Sequence, residues 1–276
     1  MYKMGSIGFS LQESYSLPLQ EVLRILKNGG FDGISPPWQG EEVLQETAQA
    51  AKALGLAIHS LHAPHDRNCA LWEQADSPIL QETLACIDAC QKWAIPILVI
   101  HPWGKFDYTF CADDLFFENF DRLVESAAEK GVKIAFENLQ GPEYLMALLN
   151  RYTDNSTVGF CWDSGHELCY PPSADLLKLY GDRLIFTHLN DNLGSTQTSL
   201  WEGDDLHLLP MDGKADWNTI LHRLKTAAPQ QVLNFELKIS PKPRKCKVDL
   251  YGHLPLEEYL QTATQRAKAF ASQYFE

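Results

Sequence analysis

The stretch TVGFCWDSGHELCYPPSADLLKLYGDRLIFTHLND, residues 157–191, leaves few folds open to this chain. Two short apolar runs, VGFCW and RLIFT, each stop at groups that bind metals or move protons. Asp163 and His166 follow the first run, His188 and Asp191 the second. The piece between them, 173–180, has helical character, so the unit reads strand, helix, strand, with both polar clusters at strand C-termini. In parallel α/β folds that edge carries the chemistry.

The rest of the chain repeats the unit. Strand-like runs at 4–10, 31–35, 56–62, 97–101, 132–138 and 231–237 alternate with helix-like segments at 18–27, 41–54, 78–93, 112–130, 142–150, 216–227 and 255–274. Asn28, Gly29 and Gly30 supply a helix stop, and Pro36 and Pro37 a breaker. No composition break divides the 276 residues. The expectation is an α/β chain forming a single (β/α)8 barrel over 1–276.

Such a barrel gathers strand ends on one rim. His62 ends the third strand, His101 the fourth, Glu137 the fifth, Asp163 the sixth, His188 the seventh and Glu236 the eighth. His166 lies one helical turn past Asp163, and Asp205 and His207 sit in the long loop after strand seven. Any one of these has a plain structural reading, as a hydrogen-bonded histidine or a helix cap. Six consecutive strands ending in metal-binding types are hard to assign to chance. Nitrogen and carboxylate oxygen without thiolate suit a divalent ion, zinc or manganese first, with magnesium or cobalt as alternatives.

The formal charge of −13 disfavours surface-wide attraction to nucleic acid or an anionic membrane. Seven cysteines without a CxxC pair, no signal-like N-terminus and no apolar run of transmembrane length lead to the expectation of a reduced, cytoplasmic, soluble protein. Self-association into a homo-oligomer is left open.

The segments LHAPH, VIHPWG, AFENL, GFCWDSGH, FTHLNDN, DLHLLPMDGKADW and NFELK together resemble the xylose isomerase-like TIM barrels, a group of sugar and sugar-phosphate isomerases and epimerases that also includes endonuclease IV. The resemblance spans residues 61–238. In the epimerase branch it implies that Glu137, Asp163, His188 and Glu236 hold the metal while His166 contacts substrate. In the endonuclease branch it implies a three-zinc site built from these residues with His62, His101, Asp205 and His207. The wording WDSGH and HLLPMDGKADW is nearer the sugar branch; endonuclease IV usually carries a cysteine where Gly165 stands. Met211, Asp212, Gly213 and Lys214 depart from the glycine-rich turn common in the sugar branch.

The expected function is therefore a metal-dependent isomerase or epimerase of a sugar or sugar phosphate. Glu137 and Glu236 serve as acid and base around an enediolate, with a hydride shift as a related route. The alternative is a zinc phosphoesterase of the endonuclease IV type. The basic loop KISPKPRKCKVD, with Lys238, Lys242, Arg244, Lys245 and Lys247, follows strand eight and suits an anionic handle on the sugar. Lys238, Arg244, His166, Trp103 and Trp201 are the expected substrate contacts.

Overall fold

A computed structural model describes residues 5–65, 67–73, 75–106, 108–112, 116–171, 174–195, 204–239 and 249–276. In chain order the elements are β1 (Ser6–Ser10), α1 (Leu19–Gly29), β2 (Gly33–Ser35), α2 (Glu41–Ala53), β3 (Ala57–Ile58), β4 (Leu61–His62), α3 (Ala70–Glu73), α4 (Pro78–Lys92) and β5 (Ile97–Ile100). There follow α5 (Glu118–Lys130), β6 (Lys133–Glu137), α6 (Pro142–Arg151), β7 (Val158–Asp163), α7 (Ser164–Cys169), α8 (Leu176–Tyr180), β8 (Leu184–His188), α9 (Trp217–Thr226), β9 (Val232–Phe235) and α10 (Leu256–Phe275).

All named strand pairs are parallel. They form two sheets, ordered β3-β2-β1-β9 and β4-β5-β6-β7-β8. Isolated parallel bridges between Pro37 and His62 and between Leu189 and Phe235 join the sheets at both seams and close the barrel. Residues alternate across the barrel wall, as the two-residue period of a strand demands. Phe136, Phe160 and Trp162 point outward into the layer shared with the helices. Val99, Ala135, Cys161 and Phe186 fill the lumen. Continuing the inward series one step brings His101, Glu137, Asp163 and His188 to the rim.

The third strand departs from the expected single run 56–62. Its first half, β3, pairs with β2, and its second half, β4, pairs with β5, with the change of neighbour at His59 and Ser60. Two local causes are visible. Pro36 and Pro37 have no N–H to continue a ladder, so only Trp38 N–H to His62 O and His62 N–H to Pro36 O cross that seam. The His59 ring also enters the lumen: a Cβ on Gly8 would lie 2.6 Å from its Nδ1 and one on Gly33 2.5 Å from its Cε1. Both neighbouring strands are therefore glycine at that level. Burial pushes the His59 imidazole down to about 4.

Local signals set most helix ends. Gly30 closes α1 at φ 109°, the left-handed cap expected from the sequence. Ser77 caps α4 with Pro78 in its first turn, and the Asp216 carboxylate accepts from the amides of Asn218 and Thr219 at the start of α9. Of the segment expected as a helix over 112–130, α5 covers Glu118–Lys130, and of that over 173–180, α8 covers Leu176–Tyr180. A helix not foreseen, α7, starts directly at the end of β7 because Asp163 caps it, accepting from the His166 amide at 2.6 Å. Among the described residues no helix is long and apolar enough to cross a membrane.

Candidate active site

Glu137 is the hub of the rim. It is fully buried, and four imidazoles reach its carboxylate: His62 and His101 through Nε2, each 3.3 Å from Oε2; His166 through Nδ1 at 3.3 Å from Oε1; His188 through Nδ1 at 2.9 Å from Oε1. Burial alone would raise its pKa, but His188 and His101 hold it well below the usual carboxylate range. Glu236, one residue past β9, places Oε2 2.9 Å from His188 Nδ1. That oxygen is nevertheless buried without a hydrogen-bond donor. Asp163 is fully buried too, and burial pushes its pKa up to about 6.

Three of the imidazoles are held by the main chain. Nδ1–H donates to Ala63 O in His62 (2.7 Å), to Asn138 O in His166 (2.9 Å) and to Glu236 O in His207 (3.1 Å). A carbonyl only accepts, so Nδ1 carries a proton in each ring and Nε2 is the nitrogen turned toward the carboxylates of the site. The backbone of His207 lies at φ 47°, in the left-handed region, and is held there by the pairing of Leu208 with Asp191.

Side chains not singled out in the sequence supply a second layer. The Asn138 amide grips the backbone of Asp163, donating to its carbonyl at 2.8 Å and accepting from its N–H at 2.7 Å. It thereby extends the β6–β7 ladder by one rung. Asn190 Nδ2 donates to Asp163 Oδ2 at 2.9 Å, while Ser164 Oγ and the Asn190 backbone bond one another. Asn192 accepts from the Leu206 amide and donates to Gly165 O, tying α7 to the loop that carries Asp205 and His207. A signal for Asn190 and Asn192 was present: in HLNDN they keep the two-residue phase of His188 past the strand's end.

The nine residues expected to bind metal or substrate meet at this rim in three groups, each with ligand atoms within 4.8 Å of one another. These are His62, His101 and Glu137; Glu137, Asp163, His188 and Glu236; and His166, Asp205 and His207. The donor set, nitrogen and carboxylate oxygen with a donorless oxygen on Glu236, fits a divalent cation. Cys161 lies just below, close enough to Glu137 and His188 to form a further group.

Asp191 is different. Its carboxylate accepts from the amides of Asn192, Met211 and Ala215 and from the Trp217 indole, all within 3.0 Å, so it ties the β8 loop together rather than facing the metal-binding groups. Trp103 is 7% exposed and stacked on Tyr144 at 4.0 Å, with its indole N–H on Lys105 O. Tyr144 thus covers a face expected to meet sugar. Lys238 approaches Asp205, whereas Trp201, Lys242, Arg244, Lys245 and Lys247 lie outside the described residues.

Residues 22–255 match the family described as xylose isomerase-like TIM barrel. The chain belongs to this family. A relative of this chain, the uncharacterized protein y4fM of Sinorhizobium fredii, is 30% identical over 264 residues, covering 80% of this chain and 82% of its own. Among solved structures, the IolI protein with a bound zinc atom superposes with a TM-score of 0.74 at 20% identity, over 98% of this chain and 99% of its own. An L-ribulose 3-epimerase gives 0.72 at 13% identity, covering 98% and 94%. The 3-keto-D-glucoside 4-epimerase YcjR of E. coli gives 0.68 at 16%, covering 97% and 100%. At these identities the structures establish the shared barrel fold.

Proposed function

We propose that this xylose isomerase-like barrel is a metal-dependent isomerase or epimerase of a small sugar or sugar phosphate. The observation that carries the reading is that Glu137 Oε1 and Glu236 Oε2 both stand 2.9 Å from one nitrogen, His188 Nδ1. Two carboxylates from strands that are not neighbours converge on one point, and the Glu236 side chain is 17% exposed where that of Glu137 is sealed. A divalent ion held by Glu137, Asp163, His188 and Glu236 supplies the positive charge that eases loss of a proton beside a carbonyl. One glutamate takes the proton from carbon and the other returns it, to the same carbon for an epimerase or to its neighbour for an isomerase. His166 and His207 border this group on the same rim, with Nε2 of each turned toward Asp205 Oδ2. The sugar epimerases that share the fold support the substrate class, and IolI with its zinc atom supports the cation. Zinc or manganese best suits the donor types. The six described cysteines are all free, which fits a reducing cytoplasm.

A second reading, a zinc phosphoesterase, is favoured by the three adjoining ligand groups. The experiment that separates the two incubates metal-loaded protein with ketoses and ketose phosphates in D2O and follows deuterium at the carbon beside the carbonyl. Incorporation that disappears in Glu137→Gln and Glu236→Gln supports the first. Cleavage of abasic-site DNA with no sugar exchanged replaces it with the second.

A further inference from the structure

Of the three ligand groups, that of His166, Asp205 and His207 has a cationic neighbour of its own. His207 Nε2 is 2.9 Å from Asp205 Oδ2, and His166 Nε2 is 3.6 Å from the same oxygen. The carbonyls of Glu236 and Asn138 hold Nδ1 of the two rings and so turn Nε2 of each toward it. Lys238 Nζ comes to 4.0 Å of that same Oδ2. The approach is built into the backbone: the Lys238 amide donates to the His207 carbonyl at 3.0 Å, so the lysine is tethered beside the group.

The geometry points to Lys238 as the residue that keeps a divalent ion out of the His166–Asp205–His207 group. An ion there must share Asp205 Oδ2 with the Lys238 ammonium, and like charges a few ångströms apart repel. Lys238 already sets a positive charge beside Asp205 Oδ2. The two imidazoles then stay with Asp205 in place of an ion. Lys238 thus selects the reaction class: sugar chemistry beside the Glu137–Asp163–His188–Glu236 group, rather than phosphodiester cleavage across a metal cluster. The inference rests on the function proposed above and specifies what sets it.

The test counts zinc. Wild type, Lys238→Met, Lys238→Arg, His207→Ala and the double variant Lys238→Met with His207→Ala are dialysed against Zn2+ and analysed for metal per chain. Lys238 is partly exposed, so the methionine, which keeps the stem, is compatible with the fold, and circular dichroism confirms it. Lys238→Met is expected to gain one ion per chain with at least tenfold higher affinity than wild type shows for that ion. Adding His207→Ala removes the gained ion, and Lys238→Arg behaves as wild type because the charge is kept. Unchanged stoichiometry in Lys238→Met overturns the inference. So does a wild type that loses an ion on His207→Ala alone, since the group is then filled despite the lysine. The expected pattern in a protein that exchanges no sugar proton leaves this inference standing and removes the function reading.

Discussion

A Cβ placed on Gly165 would fall on Asn190 Oδ1, the other end of the amide that donates to Asp163 Oδ2 at 2.9 Å. Gly165 lies within α7 and its φ is outside the left-handed region, so space rather than conformation calls for glycine. Gly165→Ala is expected to push the amide off Asp163 and weaken divalent-ion binding roughly tenfold to a hundredfold. Asn190→Ala should do the same, and the two together should cost no more than one, because both act through one bond. Competition against a chromogenic chelator reads all three variants. Additive losses would separate Gly165 from Asn190.

Glu137→Gln and Glu236→Gln test the paired carboxylates. At saturating metal each should lower proton exchange about a hundredfold to ten-thousandfold, with the metal still bound when measured in the same sample. Exchange at the wild-type rate in a metal-loaded Glu236→Gln protein would remove that residue from the chemistry.

The spacing of strand-end residues was enough to place His62, His101, Glu137, Asp163, His188 and Glu236 on one rim, because a parallel barrel fixes which end of each strand they share. What the spacing could not convey was orientation. Asp191 carries the same chemistry as Asp163 and lies three residues past the end of β8, yet the loop amides take its carboxylate. Trp103 has the flat face a sugar would use, and Tyr144, far along the chain, covers it. The break in the third strand depended on His59 meeting Gly8 and Gly33, a contact between three strands that no local pattern encodes.

Acid should withdraw stability from the metal-free protein at two histidines, His59 and His101. Burial lowers the folded-state pKa of both His59 and His101 to about 4 against an ordinary 6.5. Each therefore contributes stability that is fully present above 6.5 and is lost as pH falls through about 4. For His59 the shift corresponds to on the order of 3 kcal/mol. Urea unfolding of metal-free protein between pH 7 and 4, paired with the His59 ring proton followed by NMR, measures both sides of the linkage. A His59 midpoint near 6.5 would show that the ring is hydrated rather than sealed in the lumen.

Arg223 on α9 holds α7 and α8 together. Its guanidinium donates to both Glu167 oxygens at 2.6 and 2.9 Å and to Asp175 Oδ1 at 2.6 Å, and lies 5.1 Å over the Trp162 ring. Arg223→Lys should lower stability by about 1–3 kcal/mol, since an ammonium cannot reproduce the planar fork. Chemical unfolding gives the value directly, and a loss within error of zero would mean that solvent replaces the pairs without penalty.

The two-sheet construction divides the rim unequally. His62, His101, Glu137, Asp163 and His188 all belong to, or directly follow, strands of the five-stranded sheet, whereas Glu236 follows β9 of the four-stranded one. Between them runs a seam crossed by the Leu189 N–H to Asn234 O bond at 2.9 Å and the Glu236 N–H to Leu189 O bond at 3.2 Å. Glu236 thus stands on one sheet and the other five residues on the other. The gap between Glu137 and Glu236 is therefore set by how the shell is stitched shut along that seam.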